Sequence, residues 1–396
     1  MSNFWGAVYT SLIYTLATDW KMAYILRETL NRKEREGDMT YRAPLCHPRP
    51  DVRNFLDAVL GRKLPERPPL VEYIVDDAVM RPILEDMGRE WVPFREGDPE
   101  AGYWDNFIEF WFRMGYDFVR FEISLLFPSR SRLGEDPTKL DRSRSWAETQ
   151  RGLIATWEDY ERYPWPEVED FLFRHFEYIS GHLPDGMGLV ACHAGGIYEH
   201  VSDLMGYENL CMALYDAPGL VEAVCEAVGS RMVRFYDKLL QIDRLAAIFQ
   251  GDDMGFRSGP LLSPEHLRRF FLPWHRKFAD MAHERGLPYF LHSCGNIYVL
   301  MEDLIEEVGI DAKHSFEDVI LPAYEFQQRY GDRVGTLGGV DVDVLGRRTP
   351  QEVRRYVRDL IERCASKGRF AVGSGNSIPS YVTPENYLTM LDEALK

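Results

Sequence analysis

The groups best suited to chemistry in this chain stand in the stretch Tyr289-Phe-Leu-His292-Ser-Cys294-Gly-Asn296, where a short apolar run ends in an imidazole, a thiol and a glycine turn. Alternate side chains of an extended strand share a face, so His292 and Cys294 can both reach one soft divalent ion such as zinc. Catalytic zinc keeps about three protein ligands and an open position, whereas structural zinc takes about four. Two candidates alone fit a buried thiol beside a hydrogen-bonded histidine equally well. The elements that position them must decide.

A run that stops so abruptly reads as a buried strand delivering its last side chains to the rim of a sheet or barrel. From about residue 49 the chain repeats that design: a charged helical pattern, a few apolar residues, then a cluster of Gly, Pro, Asp or His. Eight such runs occupy residues 70–75, 118–123, 188–192, 246–250, 289–292, 311–314, 334–338 and 369–372. Helical patterns fill the gaps, as at 210–239, 264–284, 299–308 and 350–366. Eight strands alternating with helices predict an α/β fold, a (β/α)8 TIM barrel over residues 49–396. No GxGxxG follows the first run, so a doubly wound dinucleotide fold has little to support it. Residues 1–48 are expected to form a helical N-terminal extension, packed on the body or on a second copy in a homodimer. Met39 is an alternative start. The segment 128–169 is a long insertion after strand two, polar and then rich in aromatics such as Trp157, Tyr160, Tyr163 and Trp165. It is expected either to act as a lid or to pin itself on the barrel flank.

Composition narrows the partners. A 396-residue chain with 45% hydrophobic residues can bury a large core, and its formal charge of −17 disfavours nucleic acid and anionic membranes. Small molecules or another protein remain. The six cysteines, at 46, 192, 211, 225, 294 and 364, are too scattered for a disulfide framework and suit a reducing cytoplasm. The apolar stretch 4–17 has neither the basic start of a signal peptide nor the ~20 apolar residues of a membrane span.

In such a barrel the residues just past the strand ends converge on one mouth. Here they are Glu72, Asp76 and Asp77, Glu122, Cys192 and His193, Asp252 and Asp253, His292 and Cys294, His314 and Glu317, Asp341, and Ser374 with Asn376. Zinc on His292, Cys294 and a further polar ligand would polarise a substrate at its open position. Carboxylates and histidines without metal could instead perform acid and base work, with Asp252, Asp253 and His193 as the catalytic groups of a decarboxylase or lyase. Each also has a structural explanation: Asp252 and Asp253 can cap a helical turn, and His314 can satisfy a backbone carbonyl. The turns Gly338-Gly-Val-Asp341 and Gly373-Ser-Gly-Asn376 lack the Lys-Ser/Thr ending of a phosphate loop.

Several pieces in order resemble the uroporphyrinogen decarboxylase superfamily, and most closely its zinc-dependent, corrinoid-linked methyltransferases. They are residues 154–166 (IATWEDYERYPWP), 204–210 (LMGYENL), Gly251-Asp-Asp-Met-Gly255, His292-Ser-Cys-Gly-Asn296, Leu337-Gly-Gly-Val-Asp341 and Gly373-Ser-Gly-Asn-Ser-Ile-Pro379. The resemblance implies a barrel with its site in the mouth. The decarboxylases carry an Arg-Gln-Ala-Gly-Arg motif near the first strand, where this chain reads Leu70-Val-Glu-Tyr-Ile-Val-Asp-Asp77. The methyltransferases carry His-x-Cys on strand five, matched by His292 and Cys294, and a second Cys after strand eight, where this chain has Ser374. Serine is a poor metal ligand, so Glu317, Asp253 or Glu72 is expected to complete the shell. The implied activity moves a methyl group between a small molecule, such as a methoxylated aromatic, methylamine, glycine betaine or thiol, and cobalamin. No Asp-x-His-x-x-Gly is present, so the cobalamin would ride on a separate corrinoid protein. Glu72, Asp341, Asn376 and Ser374 are expected to contact substrate, with Asp253, His193 and Asp252 catalytic. A ligand-binding barrel without turnover is a further alternative.

Overall fold

Seven of the eight apolar runs form one all-parallel sheet. Its strands are β1 (Phe118–Ile123), β2 (Gly188–His193), β3 (Leu245–Gly251), β4 (Tyr289–His292), β5 (Ala312–His314), β6 (Gly335–Leu337) and β7 (Phe370–Ala371). Each pairs with its neighbours in chain order. Parallel neighbours need a crossover, and the intervening helices supply it. The computed structural model describes residues 41–94, 101–129, 131–134, 144–147 and 152–396. The chain divides into two units, Met1–Arg42 and Ala43–Lys396, and the helical extension expected before residue 41 lies outside the described residues.

The first apolar run departs from expectation. Residues 70–75 make only two isolated parallel bridges, Leu70 to Val372 and Val75 to Ile378. Pro68 and Pro69 have no N–H to offer at its start, and between the bridges the Ser374 N–H goes to the Glu72 carboxylate at 3.2 Å instead of to main chain. Among the described residues no ladder joins this segment to β1. Side chains span the gap: Tyr73 Oη donates to Glu122 at 3.3 Å, and the Arg120 guanidinium lies 3.7 Å over the Tyr73 ring.

Register explains why the polar strand ends meet. Ile123 pairs with His193, Gly251 with His292, and His292 with His314, so the C-terminal ends of β1 to β5 reach one rim. Strands β2 and β4 are buried throughout, as their unbroken apolar runs require. Capping fixes the crossovers: Thr349, Ser263 and Thr383 accept helix N–H bonds with proline just inside each helix. The helical pattern at 210–239 is two helices, Tyr207–Asp216 and Pro218–Leu239, because Pro218 removes an N–H and restarts the helix.

The described part of the insertion is pinned to the sheet's helical flank. Arg231 Nε on the helix Pro218–Leu239 donates to the Pro166 carbonyl at 2.9 Å and its guanidinium lies 5.0 Å from the Trp165 ring. Tyr163 Oη holds the Pro128 carbonyl at 2.7 Å. The strands Ser131–Gly134 and Arg144–Ala147 pair antiparallel, and the rest of 130–151 lies outside the described residues. No helix among the described residues is long and apolar enough to cross a membrane.

Candidate metal centre

Two loops that follow β3 and β4 set the site. They touch through main chain: a Cβ on Gly295, where φ is +77°, would lie 2.3 Å from the Gly255 carbonyl carbon, and a Cβ on Gly255 would lie 2.6 Å from the Cys294 oxygen. Glycine alone permits that approach. Asn296 N–H donates to the Phe256 carbonyl at 2.8 Å, and Cys294 N–H to Asp253 Oδ1 at 2.8 Å. As a result one ligand atom each from Asp253, His292 and Cys294 lies within 4.8 Å of the other two. Cys294 Sγ is 3.4 Å from His292 Nε2, which is 3.5 Å from Asp253 Oδ1. Those are the spacings of neighbouring ligands around an ion bonded at roughly 2.0–2.3 Å. The Asp253 side chain is 42% exposed and His292's 6%, so the carboxylate faces the mouth and the imidazole its floor.

The surroundings suit an anionic sulfur on a cation. Asn376 Nδ2 donates to Cys294 Sγ at 3.1 Å, and the Ser315 hydroxyl donates from 3.7 Å. Burial, helped by Asp253, pushes the thiol up to about 12, so only a bound cation would hold it as thiolate near neutrality. Burial, with His314 and Arg120 adding to it, holds His292 well below the ordinary imidazole range, which keeps Nε2 free as a ligand. Tyr73 stacks on the His292 ring at 4.0 Å between centroids.

Other expected site residues are used differently. Glu317 stands outside the three-residue group, in which Asp253, another of the expected carboxylates, is the candidate; the Glu317 carbonyl opens a turn by accepting from Ile320 and Leu321 N–H at 2.9 and 3.0 Å. His193 is buried with both nitrogens engaged, Nε2 accepting from Leu125 N–H at 2.9 Å and Nδ1 facing the Gly195 carbonyl at 3.1 Å. Burial, then His200, lowers it to about 3. Asp252 caps the helix Ile197–Met205 by accepting from Tyr198 and Glu199 N–H at 3.0 Å, and pairs with His275 at 2.8 Å. Asp341 accepts from Asp318 and Asp343 N–H at 2.8 and 2.7 Å, tying two loops together. Sequence reasoning missed Tyr73 and Arg120. Arg120 had a signal, since it sits two residues before Glu122 and so shares its face of β1.

The family description for uroporphyrinogen decarboxylase (URO-D) matches residues 149–396, more than half of the chain. The chain belongs to the uroporphyrinogen decarboxylase family. No curated protein matches it by sequence. Among solved structures, a methyltransferase from Methanosarcina mazei is similar at 16% identity and a TM-score of 0.65, over 87% of this chain and 98% of that one. That likeness is one of fold. A putative vitamin-B12 independent methionine synthase from Listeria monocytogenes matches at 11% identity and a TM-score of 0.47, over 84% of this chain and 97% of that one.

Within this family member the Ser374 hydroxyl belongs to a buried staple, bonded to Glu72 and to the Asn376 carbonyl. The Glu72 carboxyl also takes the Ser374 and Tyr73 N–H groups at 3.2 Å each. Glu72 is fully buried and so does not face substrate as expected. Burial raises its pKa from 4.5 to about 8. The folded chain therefore holds a proton there that the unfolded chain releases above pH 4.5, so stability falls as pH rises to about 8 and this loss then stops. Urea unfolding should show a wild-type advantage over Glu72→Gln that shrinks across that window, by at most about 1.4 kcal/mol per pH unit. A constant difference between the two proteins would contradict the assignment.

Proposed function

We propose that this chain is a zinc-dependent methyltransferase that moves a methyl group between a small molecule and the cobalt of a separate corrinoid protein. The observation that carries the reading is the convergence of Asp253, His292 and Cys294 on one point at the open end of the strands. Membership of the family and the fold shared with the M. mazei methyltransferase support it. When bound, zinc would supply Lewis acidity to the departing or attacking heteroatom. His292 Nε2, Cys294 Sγ and an Asp253 oxygen would hold it. Asn376 and Ser315, donating to the sulfur, would spread the thiolate's charge and fix its direction. Tyr73, stacked on one face of the His292 ring, keeps water from that side.

Tyr73 also lines a cavity of about 260 Å³ with Asp76, Tyr103, Phe107, Trp111 and Glu122. We read it as the place of a small planar donor such as a methoxylated aromatic compound. Tyr73, shared between the cavity wall and the His292 ring face, is its link to the three candidate ligands, none of which lines it. The six free cysteines accord with a reducing cytoplasm. A metal-free lyase finds less support, because His193 and Asp252, its acid and base, are committed to main-chain and helix-cap bonds. Elemental analysis of the chain purified without chelator tests the proposal, together with methyl transfer from candidate donors to cob(I)alamin, free or protein-bound. About one zinc per chain and zinc-dependent transfer are expected. Absence of both metal and transfer would sink the idea.

A further inference from the structure

Behind the three candidate ligands a second histidine is placed so that a backbone carbonyl at its far end selects one arrangement of protons along the pair. His292 Nδ1 lies 2.7 Å from His314 Nδ1, and His314 Nε2 lies 3.1 Å from the Ser374 carbonyl oxygen. A carbonyl oxygen only accepts, so His314 Nε2 must carry a proton. In a neutral ring His314 Nδ1 is then bare, and can only accept from His292 Nδ1–H. In a neutral His292 that leaves Nε2 bare, and Nε2 is the nitrogen facing Cys294 Sγ and Asp253 Oδ1 at 3.4 and 3.5 Å. The reverse assignment would set the His314 Nε2 lone pair against the Ser374 carbonyl, a repulsive contact between buried groups. Neither ring can turn away: Tyr73 stacks on His292, and Phe249 packs edge-on against His314 at 5.7 Å between centroids. The main chain fixes the far end as well, because the Ser374 N–H is held by Glu72.

We propose that His314 is a positioning residue: by relaying one hydrogen bond from the Ser374 carbonyl to His292 Nδ1 it fixes the tautomer of His292 and presents Nε2 as the metal-binding nitrogen. This rests on the metal-site reading above, but its first test does not need a metal. Long-range proton–nitrogen correlation spectra of metal-free, nitrogen-15-labelled wild-type protein should show His292 protonated on Nδ1 and His314 on Nε2. Finding His292 protonated on Nε2 overturns the proposal, whether or not the chain binds zinc. The second test titrates zinc alone into two variants. His314→Asn keeps an acceptor, its amide oxygen, at the Nδ1 place facing His292, so it should keep affinity within about threefold, whereas His314→Leu removes that acceptor and should lose roughly 10–100-fold. Equal effects in the two variants, whether loss or none, also overturn it. Should the leucine variant fail to fold, the spectra of the wild type still decide.

Discussion

Replacing Cys294 with alanine is expected to strip zinc from the purified chain and to abolish methyl transfer. The sulfur is central: it lies 3.4 Å from His292 Nε2, takes a bond from Asn376 at 3.1 Å, and shares its loop's contact with Gly255. Four-ligand zinc sites bind with about 10–16 kcal/mol in total, so losing one strong ligand should cost roughly 3 kcal/mol, about two orders of magnitude in affinity. His292→Ala should act alike. Asp253→Asn keeps an oxygen at the exposed edge of the group and should cost less. Competition against a chromophoric chelator gives the three affinities directly. Unchanged binding in the Cys294 and His292 variants would remove the metal from this site.

The neighbouring aspartates should part company. Asp252→Ala is expected to lower stability by roughly 2–4 kcal/mol, because it leaves His275 Nε2 without its partner inside the core and uncaps the helix Ile197–Met205. Asp253→Ala, which loses the bond from Cys294 N–H at a half-exposed side chain, should lower stability by about 1 kcal/mol while weakening zinc binding. Denaturant melts of both variants beside their zinc titrations separate the two roles. A stable Asp252 variant with lost transfer would return that residue to the chemistry.

Strand positions were legible because buried parallel strands read as unbroken apolar runs, and seven of the eight expected runs pair in the expected order. The run at 70–75 misled for a local reason: its apolar residues are buried, but Pro68, Pro69 and the Glu72 carboxylate divert the ladder. Within the candidate site, His292 closes β4 and Cys294 lies two residues beyond it, so their nearness followed from a spacing the sequence displays. Choosing Asp253 over Glu317 depended on which loop bends back, and the Gly255 and Gly295 contact that decides it joins segments about 40 residues apart in sequence. His193, Asp252 and Asp341 carry functional-looking side chains that main-chain donors had already claimed. A strand-end list cannot show those donors, since they come from other loops.

The contact between Gly255 and Gly295 has a consequence for which ion the proposed site would take. Because peptide groups, not flexible side chains, set the separation of the two loops, the backbones that carry Asp253 and Cys294 are held at one spacing. An ion with bonds of about 2.3–2.6 Å to six or more oxygens, such as calcium, is too large and too demanding for it. The proposed zinc, smaller and content with nitrogen and sulfur, is the kind of ion such a spacing would accept.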